Sequence, residues 1–265
     1  MGNAAASPST GGYDGEDCIS ALPDDLLRRI IYLLPITDAA RTAAITSRWR
    51  QLWRSTPLLL NDADLPEPAR DAVVPRVVAD HPGPFRVVLL TDCRPASLDR
   101  ELAEWSRLLA AKGTQELTLM NKPTKAQLNP VPLPADVLRC ASLEGLLLDF
   151  WRLPVGLSRG ADIILPHLRN LGMIRIDMSD EGLEHLLAAS PVLETLVIHS
   201  PEHARLYLRS QSLLCLMLCL SEESAMVDTP SQEFTSCICH VRLHPRGVDF
   251  CKHTCGHSKQ LKPKN

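Results

Sequence analysis

The chain has 265 residues, a formal net charge of -3 and a hydrophobic fraction of 45%, enough apolar material for one extended domain or two small ones. A disordered or fibrous chain is excluded, and the near-neutral balance lacks the basic excess of a protein that neutralises many phosphates, which argues against nucleic acid as the main partner. Aromatic residues are only 4% while about one residue in six is leucine, so the core is a leucine core and repeats are expected.

Residues 1–17 are rich in Ala, Ser and Gly and read as a disordered leader, neither a secretory signal nor a transit peptide. Met1-Gly2 opens like a myristoylation signal, but Ala6 stands where that motif wants Ser or Thr. The longest apolar run, Leu213 to Leu220, falls far short of the roughly 18 residues that span a bilayer, so no membrane partner is expected. Nine scattered cysteines and no glycosylation sequon point to a reducing compartment, cytosol or nucleus.

Residues 18–60 are dense in helix signals. Pro23 suits a first helical turn, Asp24 and Asp25 meet its positive end, and Leu34-Pro35 closes it. Leu26, Ile30, Leu33 and Leu34 form one apolar stripe at helical spacing, with Leu27 beside it. Thr37 or Asp38 is expected to cap a second helix running to Ile45, and Ser47 a third, on which Trp49 and Trp53 stand one turn apart. Three such short helices have too little interior for all these apolar groups. The surplus surface either packs on the rest of the chain or meets a partner.

Residues 61–112 read as a linker and the first helices of a repeat region. Asn61 to Pro84 is expected to be a linker with a helix kinked at Pro75, and Ser97 to Gly113 an amphipathic helix capped by Ser97 and stopped by Gly113. From 113 to 220 an L-x-x-L-x-L phrase recurs, starting at Leu143, Leu168, Leu193 and Leu213, with a degenerate copy at Thr114. The spacings of 25, 25 and 20 residues predict strand-helix repeats of the leucine-rich type, with alternate strand residues buried. No cap is recognisable after Leu220, so the last strand is expected to be an open edge. Residues 221–265 read as an irregular, disordered tail.

Leu22-Pro23-Asp24-Asp25-Leu26-Leu27-Arg28-Arg29-Ile30, together with Ser47-Arg48-Trp49-Arg50-Gln51-Leu52-Trp53, resembles an F-box. The His81 to Phe85, Leu165 to Leu171 and Ser190 to Ile198 segments then resemble the plant F-box/leucine-rich-repeat family of FBD-associated type, with an apparently shortened C-terminus. The resemblance implies an α/β protein in which a three-helix F-box precedes a short leucine-rich-repeat solenoid. It implies an SCF-type ubiquitin-ligase subunit that docks on a Skp-type adaptor through Leu22, Pro23, Leu26, Ile30, Leu33, Leu34, Ile45 and Trp49. The repeats would hold a protein substrate of unknown identity, and the chain would have no catalytic residues, metal or cofactor. The alternative is a repeat scaffold that binds a partner without a ligase.

Two chemical motifs weigh little against this. Gly156-Leu157-Ser158-Arg159-Gly160 fits G-x-S-x-G, but a nucleophile elbow needs a strand directly before and a helix after, where Leu153-Pro154 and the next repeat stand. Cys237, Cys239, His240, His244, Cys251, His253, Cys255 and His257 supply zinc-type ligands at spacings no common finger uses. That tail is read as incidentally Cys/His-rich.

Overall fold

The computed structural model describes residues 18–67, 70–91, 99–122, 129–154, 156, 163–200, 207–209, 212–220, 226–228, 242–244 and 247–249. The elements in order are α1 (Asp24–Leu33), α2 (Ile36–Thr42), α3 (Ser47–Ser55), β1 (Leu58–Asn61), α4 (Arg70–Asp80), β2 (Phe85–Leu90), α5 (Asp99–Ala111) and β3 (Glu116–Met120). There follow β4 (Val131–Pro132), β5 (Gly145–Asp149), β6 (Trp151–Arg152), β7 (Asn170–Ile174), α6 (Asp180–Ala188), β8 (Thr195–Ser200), β9 (Tyr207–Arg209) and β10 (Cys215–Leu220). Short strands β11 (Met226–Asp228), β12 (Arg242–His244) and β13 (Gly247–Asp249) lie within the expected irregular tail. The zinc-type cysteines and Ser158 lie outside the described residues.

Seven strands form one sheet in the order β1-β2-β3-β5-β7-β8-β10, all pairs parallel. Parallel neighbours need a crossover, and α4, α5, a 3-10 turn at Ala135–Arg139 and α6 lie in such crossovers here. The recurring phrase is the reason. Its second leucines share one register line, Leu117, Leu146, Leu171, Leu196 and Leu216, and the next inward positions line up as Leu119, Leu148, Met173 and Ile198. The first leucines Leu143, Leu168 and Leu193 are buried on the same core. Each such side chain contributes about 1.5–3 kcal/mol on burial.

A second regularity joins the coils at the turn before each strand, where one carbonyl accepts two N–H groups of the next coil. Gln115 O accepts from Glu144 and Gly145, Glu144 O from Arg169 and Asn170, and Arg169 O from Glu194 and Thr195, at 2.7 to 3.0 Å. Glu194 O likewise accepts from Leu214 and Cys215.

Several boundaries differ from expectation. Within Asn61 to Pro84 the expected helix containing Pro75 is α4, and the strands β1 and β2 extend the sheet on both sides of the segment. Their repeat phrase is absent, so periodicity could not reveal them. Pro23 and Pro35, not a first-turn proline and Thr37 or Asp38, stand at the N-caps of α1 and α2, and α2 stops at Thr42. Leu34 is extended, as the residue before proline must be. Thr46 rather than Ser47 caps α3, its side chain accepting from Trp49 N–H. Gly113 does end α5: at φ +68 it adopts the left-handed form, while Gly113 N–H donates to Ala110 O and Thr114 N–H to Leu109 O, the Schellman pattern that favours glycine.

The helical block and the sheet share one core. Leu27, Ile31, Ile36, Ala39, Trp49 and Leu52 are contiguous with Leu58 and Leu60 of β1. Behind this joint His81 is buried between two rings, 4.8 Å from Trp53 and 5.3 Å from Phe85 between centroids, both edge to face. Neither of its ring nitrogens has a hydrogen-bond partner of good geometry. Burial, and then the Lys112 charge, lower its pKa from 6.5 to about 4, with a backbone group of Thr56 opposing. Lys112 donates to the His81 carbonyl. Gly83 is needed beside it, since a Cβ there would lie 2.6 Å from His81 Nε2 and 2.7 Å from Arg54 O.

Two outcomes are expected. Gly83→Ala forces backbone apart and should cost about 1–3 kcal/mol in urea unfolding. Because the unfolded chain binds a proton at His81 more readily than the folded one, stability should fall as pH drops from 6.5 towards about 4. Melting curves of His81→Phe should lack that component relative to the unchanged chain; parallel pH profiles would refute it.

Candidate functional site

The site is assembled on the three short helices. In α1, Leu27 and Ile31 face the core while Leu26, Ile30 and Leu33 lie along the neighbouring stripe, spaced four and three residues apart. α3 is held against the segment that precedes α1. Arg48 does this from its guanidinium: Nε and Nη2 donate to Asp24 Oδ1 at 2.9 and 2.6 Å, Nη1 to Ser20 O at 2.5 Å, and Nη2 also to Leu22 O at 2.7 Å. Trp49 Nε1–H donates to Ser20 Oγ at 3.0 Å. One arginine and one tryptophan thus fix residues 20–24 on α3, and with them the direction of Leu22 and Pro23.

The eight sequence-expected positions divide into three groups. Leu26, Leu33 and Ile45 are 49%, 41% and 53% exposed, and Pro23 is exposed as well. Leu22, Ile30 and Leu34 are half-buried against the core. Trp49 is only 3% exposed: in this chain it is a packing residue, its ring spent on the interior and its N–H on Ser20. Ile45 sits beyond α2 on a run of tight turns, in which Ala43, Ala44 and Ile45 N–H groups each reach back three residues.

Two contributors escape a sequence reading. Ile19, 57% exposed, precedes the motif, its only signal being an apolar residue after an acidic stretch. Arg48 carried no signal for its role, since a contact across 24 residues has no local signature. Among the described residues seven large apolar side chains are exposed, and four of them, Ile19, Leu26, Leu33 and Ile45, belong to this block. The exposed large apolar side chains are thus concentrated in this block. No group of His, Cys, Asp or Glu suited to a metal occurs among the described residues, nor any helix long and apolar enough to cross a membrane.

Comparison with known proteins fits both halves. Residues 19–61 match the F-box domain model, and residues 102–254 match the model described as "FBD-associated F-box protein At5g56370, LRR repeats". The chain belongs to the FBD-associated F-box/leucine-rich-repeat family. The second match continues past Leu220 into residues first read as a tail. The chain is 32% identical over 232 residues to the FBD-associated F-box protein At5g60610 of Arabidopsis thaliana, covering 82% of this chain and 57% of that one. It is 28% identical to the F-box/LRR-repeat proteins At3g03360 and At3g26922 of the same plant, covering 74% and 69% of this chain and 41% and 60% of theirs. The F-box/LRR chain thus spans about half the length of the curated relatives it matches. Proteins of this family are in general non-catalytic adaptors, and F-box domains typically bind Skp-type adaptors.

The packing role of Trp49 predicts its mutational signature. Trp49→Ala should cost about 3–5 kcal/mol in chemical unfolding, and Trp49→Phe, which keeps a ring but loses the bond to Ser20, about 1 kcal/mol. Equal stability of the two variants would refute the assignment.

Proposed function

We propose that this F-box/LRR protein is a substrate-recognition subunit of an SCF-type cullin-RING ubiquitin ligase. Its F-box binds the Skp-type adaptor, its repeats hold a protein substrate, and it has no catalytic residue, metal or cofactor of its own. The observation that carries the reading is that Ile19, Leu26, Leu33 and Ile45 stay exposed in a block whose Leu27, Ile31, Ile36, Trp49 and Leu52 are buried in the core. Among the described residues these four side chains are not covered by the rest of the chain, which favours a partner over a repeat scaffold that used its N-terminal helices only as packing. The family's F-box supplies the class of partner. On this reading the protein works in the cytoplasm, the nucleus or both.

The decisive residues are those exposed, not those buried. Leu26→Asp with Ile45→Asp should leave circular dichroism unchanged and weaken capture of a purified Skp-type adaptor at least about a hundredfold, since central interface positions are worth about 2 kcal/mol or more each. Undiminished capture by the folded double variant would sink the proposal in favour of the ligase-free scaffold.

A further inference from the structure

The face of the sheet opposite the leucine core carries a second feature. Its residues run in register rows, and one row reads Val87, Glu116, Gly145, Asn170 and Thr195 across β2, β3, β5, β7 and β8. An open groove with a volume of about 70 Å³ lies at the middle of this row, lined by Glu116, Thr118, Gly145, Leu147 and Asn170 among others. Neighbouring strands are about 4.8 Å apart, so Glu116 and Asn170 stand about 10 Å from each other with Gly145 between them. Having no side chain, Gly145 leaves a slot between a carboxylate and a carboxamide. A Cβ there would lie 3.5 Å from Glu116 Cγ, ordinary contact, whereas a branched side chain would fill the slot.

The charges around the slot are uneven. Glu116 is exposed and forms no ion pair among the described residues; the Arg86 charge acts on it and the Glu144 carboxylate adds a second negative charge beside it, while Arg169, next to Asn170, is paired with Glu194. Although the residue as a whole is exposed, partial desolvation of its carboxyl group beside the neighbouring strands raises the Glu116 pKa, Arg86 opposing and Glu144 adding to the effect. Such a carboxylate gains from an incoming cation that donates hydrogen bonds. At one end the face is closed. Val87 and Leu89 of β2 are buried with Leu59 against Tyr32 of α1, so the site begins at β3, next to the F-box.

From this juxtaposition of Glu116, Gly145 and Asn170 we infer that the pocket takes the lysine or arginine side chain of an extended segment of the recruited protein. The alkyl stem lies over Gly145 and Leu147, the cation is held by the Glu116 carboxylate, and the Asn170 amide oxygen accepts a further N–H. The inference rests on the reading of the repeats as the substrate-holding part of the protein.

Fluorescence anisotropy of the full chain with a positional library of labelled decapeptides, varied among Arg, Lys, Gln and Glu at each position, tests it. Arg or Lys should be selected over Gln at least tenfold at one position. Glu116→Gln should abolish that selection while leaving the melting temperature and adaptor capture unchanged, and Gly145→Leu should abolish binding. No basic selection, or selection that survives Glu116→Gln in folded protein, would overturn the inference. A synthetic peptide of residues 252–265 bound in preference to every library peptide would assign the slot to the chain's own basic end and overturn the partner assignment. Loss of adaptor capture by the unaltered chain with basic selection intact would sink the ligase reading and leave the pocket standing.

Discussion

Each strand of this protein is stable only because the next coil covers it. Parallel strands cannot fold as hairpins, and a single coil buries too little apolar surface to offset the entropy of ordering it. The leucine lines through Leu117, Leu146, Leu171, Leu196 and Leu216, and the doubly used carbonyls of Gln115, Glu144, Arg169 and Glu194, are two expressions of that dependence. At the first strand the F-box takes over the part of the missing coil: Leu27, Ile31 and Ile36 complete the core that Leu58 and Leu60 begin.

This arrangement divides the F-box helices into two faces with different obligations. One is committed to the fold, with Trp49 at its centre, and the other retains Leu26, Leu33 and Ile45 at the surface. The resemblance to the family assigned eight positions to one role; the structure separates them by what each side chain already touches. The half-buried Leu22, Ile30 and Leu34 border both faces, so changes there would confound stability with binding.

The sequence made legible what is periodic. The five phrase-bearing strands stand where the recurring leucines place them, and the stop at Gly113 follows from its freedom to adopt a positive φ. What escaped is non-periodic or long-range. β1 and β2 lie outside the phrase, and their apolar runs, Leu58 to Leu60 and Val87 to Leu90, are too short to tell strand from helix by pattern. The shift of the caps to Pro35 and Thr46 is a one- or two-residue matter on which side-chain preference is nearly indifferent. Of the candidate sites, the F-box stripe was visible as helical spacing, whereas the Glu116 slot depends on three residues far apart in the chain and adjacent only through register.

The contact of Tyr32 with Leu59, Val87 and Leu89 makes the sheet a ruler measured from the F-box. No flexible tether intervenes between α3 and the first strand, and β1, β2 and β3 count out the distance in steps of about 4.8 Å. A relative with one coil more or fewer ahead of the Glu116 position would present its bound segment one step further from, or nearer to, whatever sits on the helices. Within such a family, repeat number can set reach independently of the residues that set specificity.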